Sequence, residues 1–204
     1  MKLSPDELLQ GNHLLWRGRD PSHDKLATLS TGHAALDAVL PGGGWPLGMI
    51  SEIVAPNWGI GELSLLLPVM AELTGRKRWL TWLAPPYLPY PPALVQSGVD
   101  IAFCLLIDDF KLPQDALWAM EKLMRSHHSG LVLAWPRRLL PADLRRLQLA
   151  AESGQGLGLL FHSREPELSL AGLRLGLKPL PSGLEITVLK ARGSWKRDTI
   201  LLDL

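Results

Sequence analysis

The sequence predicts an α/β domain with a mostly parallel central sheet, helices on both faces and a C-terminal antiparallel β-hairpin. Uninterrupted apolar segments, such as residues 49–54 and 130–135, alternate with helical patterns, as in parallel sheets that are covered on both sides. Residues 173–190 instead alternate apolar and polar positions around a Pro-Ser-Gly turn, which indicates a hairpin. With 204 residues, the chain can bury one core.

Each predicted element follows from hydrophobic periodicity and from its start and stop signals. Residues 1–25 are expected to form a short helix and an irregular arm, and residues 26–204 the core, with residues 164–204 as a terminal hairpin extension. Pro68 is expected to kink its helix or to lie near its start. The predicted core helices span residues 33–40, 62–75, 91–97, 114–128 and 142–154. The predicted strands span residues 49–54, 78–84, 103–108, 130–135, 156–162, 173–178 and 184–190, with 199–204 as a further candidate.

The loop after the first long strand lies where an NTP-binding protein holds phosphate. The usual pattern, G-x-x-x-x-G-K-[ST], ends in a lysine and a hydroxyl, but here Gly61 and Glu62 stand in those places. If Gly61 is instead aligned with the last glycine of the pattern, Glu62 stands at the lysine position, so either register lacks the cation. An acidic group about 4 Å from a phosphate repels it by on the order of 4 kcal/mol at an effective dielectric constant of about 20. We therefore expect a turn capped by Glu62, with residual nucleotide binding as the alternative. This degenerate phosphate loop comprises Ala55, Pro56, Asn57, Trp58, Gly59, Ile60, Gly61 and Glu62.

Two further positions also lack the groups of an ATPase. A carboxylate that activates water would follow the next strand, where the sequence reads Leu83-Ala84-Pro85-Pro86, and a magnesium-binding Asp would end a later strand, where Trp135 stands. The sequence therefore predicts no catalytic residues, no cofactor and no metal site. We expect a protein that is not an enzyme.

Composition limits the partners and the compartment. The 21 basic and 20 acidic residues give a net charge of +1, so general attraction to nucleic acid or anionic membranes is not expected. Cys104, the single cysteine, lies in an apolar segment and predicts a buried thiol in a reducing cytoplasm. No secretory signal or membrane span is recognised, which also favours a cytoplasmic location.

Three segments are candidates for binding a partner protein. Tryptophan is typical of binding hot spots, and the chain has 8. A proline-rich loop with two tyrosines either crosses the top of the sheet or forms a recognition surface. An arginine pair either lies on a solvated face or contacts DNA or a partner protein. The SWKRD segment lies on an edge hairpin, where a partner can add a strand. The candidate residues are Tyr87, Tyr90, Arg137, Arg138, Trp195, Lys196 and Arg197.

Several blocks of sequence resemble known families. Residues 29–56, LSTGHAALDAVLPGGGWPLGMISEIVAP, resemble the start of the RecA core, which implies a RecA-like three-layer fold. Together with LLWRG, RWLTWLAPP, LAWPRR and RRLQLAAESG, they are similar to the ImuA family. That resemblance implies a noncatalytic adaptor of SOS-induced mutagenic translesion synthesis, within DNA-damage repair. Its implied partner is ImuB, a Y-family polymerase homologue, with RecA or an error-prone DnaE-type polymerase as further candidates. The short loops after the later strands argue against direct contact with DNA.

A second resemblance gives the alternative. The series ISEIV, LLLP and RW followed by a tryptophan is similar to SulA, a RecA-like SOS inhibitor of division that binds FtsZ. The STG and PGGGWP motifs and the long terminal hairpin favour ImuA. An active ATPase is the third hypothesis, and only the position of the loop supports it.

Overall fold

The structure is a computed structural model that describes residues 27–110, 112–136, 138–167 and 169–204. The predicted N-terminal helix and arm, residues 1–25, lie outside the described residues, and so does Arg137.

A mixed sheet of eight strands forms the centre of the molecule. Its order is β10-β9-β8-β3-β7-β6-β4-β5, and the six strands from β8 to β5 run parallel, whereas β9 is antiparallel to both of its neighbours. A separate two-stranded sheet, which the sequence analysis did not predict, pairs β1 with β2. The strands are β1 (Thr28–Leu29), β2 (Trp45–Pro46), β3 (Met49–Val54), β4 (Trp79–Leu83), β5 (Cys104–Ile107), β6 (Ser129–Ala134), β7 (Leu157–His162), β8 (Leu173–Leu180), β9 (Gly183–Ala191) and β10 (Thr199–Asp203).

The helices begin at local signals that the sequence carries. Two of them share one device: the Asp115 and Asp143 carboxylates accept the N–H groups of Leu112 and Leu140, the residues before each first turn. Pro68 lies in the first turn of its helix, after a 3₁₀ turn, where its missing N–H breaks no hydrogen bond. The helices are α1 (Ala34–Val39), α2 (Leu67–Gly75), α3 (Pro91–Gln96), α4 (Pro113–Arg125) and α5 (Pro141–Gly154).

Apolar side chains pack on both faces of the sheet. One cluster joins α2 to the strand face that carries Leu80 and Trp82. The second joins α4 and α5 to the opposite face, which carries Leu83 and Val132. Because successive strand residues point to opposite faces, the two clusters form separate layers. The predicted mixed α/β class, with a large mostly parallel sheet and helices, is confirmed.

The β5 strand departs from the prediction of a buried apolar segment. It is the last strand at one edge of the sheet, and Leu105 and Leu106 are 38% and 42% exposed although they point to opposite faces. Cys104 is only half-buried, so the expected fully buried thiol was wrong. The sequence shows an apolar strand, but only the strand order reveals that neither face of this edge is fully covered.

The C-terminal hairpin is part of the main sheet. The connection from β7 to β8 forms no helix in its described residues, 163–167 and 169–172, and β8 pairs directly with β3. The Gly172 N–H donates to the Ile50 carbonyl at 2.8 Å, which fixes the start of β8 beside β3. The predicted hairpin is therefore present as β8 and β9, and β10 extends it.

Candidate functional site

The loop after β3 is closed by its own carboxylate. Glu62 accepts the N–H of Gly59 on Oε1 at 2.8 Å and that of Ile60 on Oε2 at 2.9 Å. Glu62 is 5% exposed, and Gly59 and Gly61 have positive φ angles of 79° and 110°, which glycine adopts easily. The N–H groups of Gly59 and Ile60, which could otherwise bind an anionic ligand, already donate to the Glu62 carboxylate.

An aromatic group packs beside this loop at the carboxyl ends of the parallel strands. Trp135, the residue just after β6, stacks on Phe161 with ring centroids 4.4 Å apart. Trp58 from the loop meets the same Phe161 ring edge-on at 6.3 Å. Apolar rings thus occupy the region where the sequence comparison with an ATPase would place a magnesium-binding carboxylate.

A charged cluster is buried where β3, β7 and β8 lie side by side. Glu52 is 1% exposed, and its Oε2 accepts both Arg174 Nε and Ser169 Oγ at 2.7 Å. Arg174 also donates from Nη1 to Glu165 Oε1 at 2.6 Å. His162 Nε2 lies 3.8 Å from Glu52 Oε1, beyond hydrogen-bonding distance.

The environment of His162 favours its neutral form. Burial lowers the pKa of His162, the nearby Glu52 carboxylate opposes that effect, and the Arg174 guanidinium adds to it. The Ser169 and Arg174 contacts hold the residues around the start of β8 against Glu52 on β3. Together these contacts indicate a structural role for the cluster, because the Glu52 and Arg174 charges pair within the fold. Among the described residues, Glu52 Oε1 and His162 Nε2 are buried without a hydrogen-bond partner.

The predicted partner-binding residues fall into separate places. Tyr87 and Tyr90 are 69% and 70% exposed in the loop after β4, and Arg138 is exposed after the neighbouring strand β6. Trp195, which is fully exposed, lies with Lys196 and Arg197 in the connection before β10, at the opposite edge of the sheet. The structure therefore divides these residues between two surfaces. Their partner-binding roles stay predictions.

Further exposed apolar side chains were missed in the sequence analysis. Leu88, between the tyrosines, is 67% exposed, and Trp79 at the start of β4 and Leu105 and Leu106 on opposite faces of β5 are 38–42% exposed. Trp79 contacts Phe103 edge-on with centroids 5.7 Å apart. No sequence signal separates these residues from core residues, because their exposure depends on which strand ends the sheet.

Two searches of the described residues were negative. In residues 27–204, apart from the three undescribed positions, no helix combines the length and the apolar character needed to cross a membrane. Within the same ranges, no group of three or more His, Cys, Asp or Glu residues is arranged to hold a metal ion.

Comparison with known proteins decides the family. Residues 48–158, more than half of the chain, match the profile of the family described as "Cell division inhibitor SulA". This chain belongs to the SulA family. A curated SulA of Serratia marcescens is 32% identical over 114 residues, covering 56% of this chain and 67% of the relative. The SulA of Edwardsiella piscicida is 33% identical over 127 residues, with 61% and 73% covered. The crystal structure of SulA from Pseudomonas aeruginosa is 29% identical, covers 55% of this chain and 96% of its own, and has a TM-score of 0.44.

SulA membership corrects the main functional interpretation. The identification with ImuA was wrong, and so were the translesion-synthesis, mutagenesis and DNA-repair role and the expected ImuB partner with RecA or a DnaE-type polymerase. The features that favoured ImuA over SulA, the STG and PGGGWP motifs and the terminal hairpin, lie outside residues 48–158, whereas the SulA-like series lies within them. The expectation of a protein that is not an enzyme agrees with a family of division inhibitors.

Proposed function

We propose that this chain inhibits bacterial cell division by binding FtsZ, as part of the SOS response. The match of residues 48–158 to the SulA family carries the proposal. Those residues include β3, β4, β5 and β6 with the helices between them, whereas β7, which lies between β3 and β6 in the sheet, begins at the end of the matched region. The function follows the SulA-like alternative from the sequence analysis.

An exposed apolar surface within the matched region supports binding to a protein partner. Tyr87, Leu88 and Tyr90 are about two-thirds exposed, and proline-rich sequence on both sides restricts the loop that carries them. A stiff loop loses little conformational entropy on binding, and tyrosine is enriched at hot spots. We therefore propose this loop, with the adjacent β5 edge, as the surface that contacts FtsZ.

We also propose that the scaffold descends from a RecA-like nucleotide-binding core and retains its phosphate loop in a degenerate form. The strand–loop–helix setting of residues 49–75 supports this descent. The Glu62 carboxylate on the amides of Gly59 and Ile60 supports loss of phosphate binding, because an anionic ligand would have to displace a buried anion.

The test is polymerisation of purified FtsZ with GTP in the presence of the full-length chain, followed by light scattering and sedimentation. We expect a stoichiometric excess of the chain to reduce the sedimented polymer, and its overexpression to give filamentous cells. Unchanged polymer at excess, with the chain folded by circular dichroism, would refute the proposal. Isothermal titration with Mg-ATP is the companion measurement, in which we expect no binding heat.

A further inference from the structure

No strand among the described residues pairs with the outer edge of β10. The Val188 N–H donates to the Asp198 carbonyl at 2.9 Å, and β10 continues in register with β9, Ile200 opposite Ile186. In an antiparallel pair, the residues bonded to the partner alternate with residues whose N–H and C=O point away. The main-chain groups of Thr199, Leu201 and Asp203 therefore point outward, where no described strand pairs with them.

The side chains of β10 divide between core and solvent. Ile200 and Leu202 pack against the cluster on one face of the sheet. Leu201, between them, is 66% exposed. A leucine at the middle of an open edge strand is a feature that solvent-facing strands usually avoid, because it invites pairing with another strand.

Opposite charges lie at the two ends of this edge. Lys196 and Arg197 are exposed just before β10 and form no ion pair with the described residues. Asp203 ends the strand, and its carboxylate accepts the Ser182 hydroxyl at 3.3 Å and forms no ion pair within the described part of the chain. Fully exposed Trp195 adjoins the two cations. When two copies of β10 lie side by side and antiparallel, the positive end of one copy meets the negative end of the other.

We propose that β10 pairs antiparallel with β10 of a second copy of this chain, about a two-fold axis at Leu201. In this register Leu201 faces Leu201 of the second copy, and Thr199 faces Asp203. All three residues have outward main-chain groups, so each N–H meets a C=O. Arg197 lies two residues before Thr199, within reach of the opposing Asp203. The isologous contact closes at two copies and extends the sheet across the axis.

The opposite edge of the sheet fits a second copy less well. Antiparallel pairing of β5 with itself would bring Asp108 and Asp109, just after the strand, towards the strand end that carries Asp100, the residue before the 3₁₀ turn Ile101–Phe103. Like charges placed opposite one another across strands are destabilising. Charge complementarity therefore selects β10 as the self-pairing edge.

The contact is small, so the dimer should be weak and depend on concentration. Its residues lie outside residues 48–158, so it is independent of the proposed division-inhibitor activity. The test is sedimentation velocity of the full chain from about 10 to 500 µM. We expect the mass to rise from 22.5 kDa towards twice that value. A mass that stays at 22.5 kDa throughout would overturn the proposal.

Matched variants on β10 and β5 show which edge of the sheet forms the dimer contact. Leu201→Lys puts two cations at the axis, and we expect at least tenfold weaker association. Leu105→Lys, at a leucine on β5 that is 38% exposed, should leave association unchanged. Loss of dimer in Leu105→Lys but not in Leu201→Lys would refute the assignment to β10.

A charge swap tests the register. Arg197→Asp and Asp203→Arg should each weaken the dimer several-fold, and the double variant should regain most of the loss. Failure of the double variant to regain any affinity would refute this register. Amide exchange gives a second readout: the N–H groups of Thr199, Leu201 and Asp203 should become protected as concentration rises.

Discussion

Arg174 donates from Nε to Oε2 of Glu52 across 2.7 Å, and the two side chains are only 8% and 1% exposed. Glu52 lies on β3 and Arg174 on β8, so the pair joins the SulA-like part of the sheet to the C-terminal hairpin. A buried charge is tolerated when it is paired and becomes costly when its partner is removed.

Removing the Arg174 guanidinium should destabilise the fold strongly. Arg174→Leu leaves the Glu52 carboxylate buried without a cation, which should cost about 3–5 kcal/mol of unfolding free energy in urea denaturation. Adding Glu52→Gln should recover part of the loss, because a neutral side chain needs no counter-ion. Lys178→Leu is the matched control: Lys178 is 69% exposed and pairs with Glu185 at 3.7 Å, so we expect a loss of about 1 kcal/mol or less. Equal losses in both variants would contradict the role of the buried pair.

His162 should make stability depend on pH. Burial lowers the pKa of His162 in the folded chain below its ordinary value of about 6.5, so the unfolded chain binds more protons between the two pKa values. The free energy of unfolding should therefore fall as pH decreases from about 7 through this window. His162→Gln should flatten that part of the profile, measured by urea titrations at successive pH values. An unchanged slope in the variant would exclude His162 as its source.

Glu62 should hold the loop after β3 in place. Glu62→Ala removes the acceptor of two charge-assisted hydrogen bonds, which should cost roughly 2–3 kcal/mol of unfolding free energy. Amide exchange of Gly59 and Ile60 should accelerate in the same variant. Glu167→Ala, at an exposed glutamate, serves as the control and should change neither measurement. Undiminished protection of both amides in Glu62→Ala would show that other contacts fix the loop.

Cys104 should alkylate slowly at neutral pH. Burial and the nearby Asp100 carboxylate raise the pKa of its thiol to about 11, so the reactive thiolate is scarce. Because Cys104 is the single cysteine, mass spectrometry reads its reaction with iodoacetamide directly. The rate at pH 8 should be roughly 100-fold below that of an unhindered peptide thiol of pKa about 9. Asp100→Asn should raise the rate, and an equal or lower rate would contradict the charge effect.

The tyrosine loop should contribute to FtsZ binding and little to stability. Truncating Tyr87 and Tyr90 together to alanine should weaken binding about tenfold or more, because exposed aromatic side chains are typical hot-spot residues. Unfolding free energy should change by less than about 1 kcal/mol. Leu149→Ala, at an exposed leucine on α5, is the control and should bind normally. Binding is measured by co-sedimentation. Full affinity in the double variant would show that the FtsZ interface lies elsewhere on the chain.

Strand and helix positions could be predicted because each carries local chemistry. The apolar segment 49–54 and the Pro-Ser-Gly turn of the hairpin are visible without neighbours. The turn between β8 and β9 and the first-turn position of Pro68 follow from the backbone limits of single residues. Glu62 was expected to cap its turn, and its two amide contacts agree.

The order of the strands could not be read from the sequence, and the exposed surfaces depend on it. Leu105 and Leu159 look equivalent in sequence, yet one lies at the sheet edge and the other in its centre with 0% exposure. The Glu52–Arg174 pair was missed for the same reason, because its members are 122 positions apart and meet only when β8 reaches β3. Family membership was misassigned because weight was given to motifs outside the matched region.

The placement of β8 against β3 sets how this chain can be shortened. A fragment ending after the family-matched residues would lose β8 and most of β7, the two strands that pair with β3, and would leave Glu52 without its counter-ion. The hairpin thus covers the main-chain edge of β3. A shortened chain would need another strand at that edge to remain folded and to avoid aggregation.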